Sequence, residues 1–199
     1  MQNLTYADIK KEFDYSLGYV RTDIRWLQEH KSSLNYTVVL LIGCGCEMLA
    51  AAQGDKKRRG EKVFAEPLLV GDWRLLAGRL YTALRDGLAH GFDTKHLVVD
   101  GKAIQIYLSW DHPVVIEMMR SPRGVVGLNV GVQALANALC EKIDEFEKLL
   151  QQDAGARQQF REASEHQRLA ELNSNEVAAW RRLVKACRML SGLWSIFAS

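Results

Sequence analysis

Proline is scarce in this sequence, three residues in 199, and no stretch is enriched in it or in glycine enough to suggest a collagen-like repeat or a disordered linker. Cysteine is also sparse. Cys44, Cys46, Cys140 and Cys187 include no Cys-x-x-Cys pair, and no histidine stands at zinc-finger distance from any of them. That excludes a disulfide scaffold and a zinc ribbon, and scattered thiols of this kind are expected to be free and buried in a reducing compartment. An excess of one charge is missing too: 26 basic residues face 24 acidic ones, for a net of +2, so nothing suggests a nucleic-acid coat protein. The longest apolar run, Val38 to Cys46, stops at Glu47 and is too short to span a bilayer, which takes about 20 residues. The N-terminus has no apolar segment of signal-peptide type. The chain carries no Gly-Lys-Ser/Thr phosphate loop, no His-Glu-x-x-His and no Gly-x-Ser-x-Gly, and Gly43-x-Gly45 lacks the third glycine and the preceding strand of a dinucleotide loop. No metal, cofactor or membrane is therefore expected, and the compartment is expected to be the cytoplasm.

The sequence does contain helical periodicity. From Tyr6 to about His30, apolar side chains fall at Ile9, Phe13, Leu17, Val20, Ile24 and Leu27, steps of three and four that trace one helix face. A second helix, capped at Ser32 or Ser33 and running to about Gln53, is apolar nearly all round, which places it centrally in a bundle. Its Gly43 and Gly45 permit a neighbour to approach closely. Gly54 ends it, and the segment Gly54 to Lys62 reads as a solvated basic loop. Asp72 opens a third helix with Leu75, Leu76, Leu80, Ala83, Leu84 and Leu88 on its apolar face, ending at Gly91.

The pattern then changes to strand. Two strand-like runs flank Asp100-Gly101, the strongest short hairpin dipeptide, and Ile104, Ile106 and Leu108 alternate with polar neighbours. After a turn at Ser121 to Gly124, helix resumes from Leu128 to about Gln152, with Leu135, Leu139, Ile143, Phe146 and Leu150 on one side. A charged helix from Arg157 to about Leu172 and a last one after Asn173 or Ser174 follow, the latter with a basic stripe of Arg181, Arg182, Lys185 and Arg188. The fold class expected is mainly α, a helical bundle with one inserted β-hairpin at about 96–110. One domain over 1–199 is expected, with a helical extension from about 156 and a weak joint near Asp153 to Ala156.

Three arginine–histidine pairs stand five residues apart: Arg25 and His30, Arg85 and His90, Arg161 and His166. Only the middle pair combines a polar residue directly after the arginine (Asp86), an apolar helical frame and a terminal His-Gly. This segment, Leu84 to Gly91, resembles the signature of HEPN-domain proteins, in which arginine, four to six residues and histidine lie at the end of a helix in a bundle. Many such proteins are ribonucleases of toxin–antitoxin, abortive-infection and CRISPR-associated systems. The motif and its helix span about a tenth of the chain.

The resemblance implies a single HEPN-like domain acting as a metal-independent endoribonuclease in a defence or toxin-like system. It also implies a homodimer, whose two motifs line one cleft, and a cognate antitoxin or regulatory protein. His90 would act as general acid or base, since histidine titrates near neutrality. Arg85 would stabilise charge on the reacting phosphate through its fixed donor fork, and Asp86 would orient either residue or contact the second chain. Five residues turn a helix by about 500°, leaving Arg85 and His90 about 140° apart, which fits a site shared between chains. Lys56, Lys57, Arg58 and Arg59 form the densest basic run and are the first candidates for contact with RNA. Glu47, in an otherwise apolar helix, needs a partner, and Arg79 or Arg85 could supply it. The alternative is a non-catalytic helical dimerisation or protein-interaction module, in which Arg85 and Asp86 form a plain ion pair and His90 sits favourably at a helix C-terminus.

Overall fold

A computed structural model describes residues 4–30, 34–55, 57, 59–69, 71–91, 97–121, 124–168 and 177–179, with the backbone alone at 66–68, 90, 91, 121, 124–126 and 166–168. The chain divides into two compact units, Met1–Ser164 and Glu165–Ser199. The first holds nearly all that is described. In the second, 165–168 and 177–179 are helical. The last helix expected after Asn173, its basic stripe and Cys187 lie otherwise outside the described residues.

The N-terminal periodicity is realised as α1 (Tyr6–Phe13) and α2 (Tyr19–Glu29), joined by one π-helical turn over Asp14–Gly18. All six apolar positions of that face are buried, from Ile9 through Leu27. The central helix is α3 (Asn35–Ala52), with ten buried residues and neighbours on several sides, α2, α4, α5 and α6 among them. By length and composition alone α3 could cross a membrane, at a mean hydropathy of 1.5. Here 56% of that stretch is buried inside the protein, as fits a central bundle helix. Gly45 packs against α2 and α6: an added Cβ would stand 2.9 Å from Val20 Cγ1 and 2.8 Å from Leu139 Cδ2.

The basic loop expected after Gly54 is shorter than the sequence suggests. A helix, α4 (Gly60–Leu68), begins within it and buries Val63 and Phe64. Its charged first turn hid it, because only one short apolar face follows before Pro67. α5 (Trp73–Gly91) forms as expected, and Leu80, Ala83, Leu84 and Leu88 are buried. Leu75 and Leu76 are not: Leu75 is 84% exposed and Leu76 42%, while Trp73 and Ala77 of the same end of α5 pack on the core instead.

The hairpin joins β1 (Leu97–Val99) to β2 (Lys102–Ser109), with Asp100 at φ 49° and Gly101 at φ 72°, the paired left-handed geometry that an Asp-Gly turn accommodates. The hairpin is half of a larger sheet. β3 (Ile116–Ser121) and β4 (Gly124–Gly131) extend it in the order β1-β2-β4-β3, with β2 and β4 parallel and the other pairs antiparallel. The helix expected from Leu128 therefore starts later, as α6 (Val132–Gln152). Leu128 and Val130 alternate into the core from β4, and their spacing blended with the helical period that follows. Residues 122 and 123 of the expected turn lie outside the described residues. α7 (Ala154–Arg168) follows after a break at Asp153.

Ion pairs tie the first helices to α6. Arg21 reaches Asp144 at 2.5 Å and Glu147 at 2.6 Å, Arg25 reaches Asp144 at 2.7 Å, and the Tyr6 hydroxyl donates to Glu147 at 2.5 Å. Burial pulls the Arg21 pKa down, but the hydrogen bonds to Glu147 and Asp144 outweigh it and raise the value overall. Among the described cysteines, Cys46 and Cys140 are buried as expected, while Cys44 is exposed on α3.

Candidate functional site

Two glycines and a tyrosine set the position of Arg85. Gly43 lets the arginine stem lie across α3: an added Cβ there would stand 3.0 Å from Arg85 Cγ. One turn further along α3, Glu47 meets the guanidinium, with Arg85 Nε 3.0 Å from Glu47 Oε1. The next residue on α5 takes another part of the same group, with Arg85 NH1 donating to Asp86 Oδ1 at 3.1 Å. Tyr81 completes the cluster. Its hydroxyl lies 3.2 Å from both Glu47 Oε1 and the Gly43 carbonyl oxygen, in a notch left by Gly60 at the start of α4.

The three charged side chains are half-buried, at 34% exposure for Arg85, 31% for Glu47 and 32% for Asp86, so they are desolvated in part and still reachable from water. The Asp86 hydrogen bond, followed by the nearby Glu47 charge, holds the Arg85 pKa above its ordinary value. Burial, and then the negative charge of Glu47, pushes the Tyr81 phenol well above its usual range, so it remains a donor at any physiological pH.

This cluster forms one wall of an open groove of about 610 Å³. Glu61 of α4 lines it, as do Arg79 and Thr82 of α5. Arg79, Thr82 and Asp86 recur at helical spacing along the exposed side of α5. Arg79 has no ion-pair partner among the described residues. The groove thus gathers three carboxylates and two guanidiniums.

Of the residues singled out from the sequence, Arg85 and Asp86 are in contact and line this groove. The α5 backbone continues through position 90, four residues after Asp86 and so on the same face of the helix. The His90 side chain lies outside the described residues. In the basic run, Lys57 is exposed, Arg59 Nε pairs with Asp55 Oδ2 at 2.9 Å, and Lys56 and Arg58 lie outside the described residues. Glu47 does take Arg85 rather than Arg79, though as a half-buried carboxylate and not a fully buried one. Tyr81 and Glu61 were not singled out from the sequence, and Arg79 was named there only as a possible partner of Glu47. The polar spacing Arg79–Thr82–Asp86 on an otherwise apolar helix was the available signal for Arg79, whereas Tyr81 reads as an ordinary core aromatic.

A second, apolar groove of about 470 Å³ runs between α2 and α3, with Trp26, Leu40, Leu41 and Cys44 among its walls. No group of three or more metal-ligating side chains converges among the described residues. No protein-family model, no curated protein and no solved structure matches the chain.

Proposed function

We propose that the chain is a metal-independent endoribonuclease of HEPN type, working in the cytoplasm as a homodimer within a defence or toxin-like system. The observation that supports it best is the Arg85–Asp86 pair on the wall of an open groove, on a helix that continues through position 90. Asp86 holds one edge of the guanidinium, which is the orienting role a phosphate-stabilising arginine requires.

In this reading His90 takes the proton of a ribose 2′-hydroxyl, and the oxygen attacks the adjacent phosphorus. A bond from phosphorus to O2′ forms while the bond to O5′ breaks. Arg85 stabilises the charge gathering on the non-bridging oxygens. The leaving O5′ takes a proton from the His90 of the second chain. The products are a 2′,3′-cyclic phosphate and a 5′-hydroxyl, with no water consumed and both proton carriers supplied by side chains. Lys57 and Arg59, with Lys56 and Arg58, would edge the site and contact flanking phosphates. The test is end-group analysis of RNA incubated with the protein in EDTA. Cyclic phosphate ends are expected, and 3′-hydroxyl ends would exclude this chemistry.

A second reading, a non-catalytic interaction module on the same frame, has one observation in its favour: the apolar groove beside Trp26 and Cys44 offers a protein surface that owes nothing to RNA. It requires no ribonuclease activity in the wild type and a self-association, measured by light scattering, that survives His90→Ala.

A further inference from the structure

A guanidinium that is to receive phosphate is here already occupied. Arg85 faces two carboxylates of its own chain, Glu47 at 3.0 Å on Nε and Asp86 at 3.1 Å on NH1. The local sum is one positive against two negative charges, which repels an incoming anion although the arginine itself remains charged. The two carboxylates are not equivalent. Asp86 is the neighbour of Arg85 in sequence, with a short side chain on the same helix. Glu47 comes from α3, and Tyr81 can hold Glu47 Oε1 at 3.2 Å without help from the arginine. Glu47 can therefore release Arg85 and keep a hydrogen-bond partner. Arg79, which has no ion pair among the described residues, lines the same groove and offers a cation for a phosphate to meet first.

We propose that Glu47 is a built-in competitor for phosphate at Arg85, so that an RNA phosphodiester engages this arginine only by displacing the Glu47 carboxylate. This rests on the ribonuclease reading for the identity of the anion, and it adds a restraint on that site. Free protein would hold its anion subsite closed by a residue of its own fold, and RNA would bind more weakly than two arginines in a groove suggest.

The test is binding of inorganic phosphate and of a short 2′-O-methyl RNA, which cannot be cleaved by this route, to wild type, Glu47→Gln and Glu47→Gln/Arg85→Gln. Glutamine keeps one acceptor oxygen for Tyr81 and Arg85 and removes the charge, with an amide NH2 in place of the other oxygen. Glu47→Gln is expected to bind about tenfold more tightly than wild type, a magnitude suited to one partly solvated charge beside a bound anion. The double variant is expected to lose that gain. Tyr81→Phe provides a second arm, because it keeps the ring that packs on Phe64 but removes the hydroxyl that holds Glu47 once it has released Arg85. It should therefore weaken phosphate and RNA binding by a smaller factor, and tighter binding in it would contradict the release of Glu47 onto Tyr81.

Unchanged or weaker binding in a normally folded Glu47→Gln protein overturns the proposal, and so does a gain that survives the loss of Arg85. Cleavage of ordinary RNA by wild type is measured alongside. A binding gain without wild-type cleavage supports the role of Glu47 and removes only the ribonuclease reading. Cleavage without a binding gain removes only the role of Glu47.

Discussion

At the scale of single residues, the site depends on how one guanidinium is shared. Asp86 accepts from NH1 of Arg85, and a charged acceptor makes a hydrogen bond roughly twice as strong as a neutral one. Asp86→Asn preserves the shape and weakens that hold, so the arginine should spend more of its time away from the reacting phosphate. A fall of about tenfold in kcat with little change in the thermal midpoint is expected, read from RNA cleavage and an unfolding curve on the same preparation. An unchanged kcat would reduce Asp86 to a surface charge. This residue pair was legible in the sequence, because a polar follower inside an apolar helix is visible without a structure. Glu47 was legible as a carboxylate in need of a partner, but its choice of Arg85 over Arg79 was not. That choice depends on Gly43, which lets the Arg85 stem cross α3, and on a hydroxyl from Tyr81, and neither contact has a local sequence signature.

At the scale of elements, the helices were readable wherever one face is buried and the opposite face is wet. The α1–α2 stripe and the Leu135 to Leu150 face of α6 are two such cases, buried as the periodicity requires. The sheet was half readable. The Asp-Gly turn marks β1 and β2, but β3 pairs only with its neighbour at the sheet edge and keeps Met118 and Met119 partly exposed, so its alternation is blurred. β4 runs directly into α6 with no breaker other than Gly131, and its apolar residues joined the helical pattern. Between elements, the contact most worth testing is Arg21 against α6. Its side chain is only 17% exposed and serves two carboxylates, so Arg21→Ala leaves Glu147 short of a counter-charge in a half-desolvated place and Asp144 with Arg25 alone. A loss of about 1–3 kcal/mol by urea denaturation is expected, with no effect on RNA affinity, since this pair lies on helices that do not line the Arg85 groove. A loss below about 0.5 kcal/mol would mean the network is too solvated to matter.

At the scale of the whole molecule, the near-neutral charge of +2 leaves bulk attraction for RNA weak, so any RNA recognition has to come from a few placed groups. The groove beside Arg85 supplies two guanidiniums, one of them held by the chain's own carboxylates. A single chain of this kind is a poor anion site, and on the proposed ribonuclease reading a second copy would complete the cleft. On the proposed ribonuclease reading, His90 moves a proton during RNA cleavage. The direct measurement is the rate at which a mixed RNA substrate is cleaved in EDTA by wild type and by His90→Ala at equal concentrations of folded protein. A wild-type rate at least a hundredfold above that of His90→Ala is expected. Equal rates in the two proteins, or no cleavage by either, would contradict it.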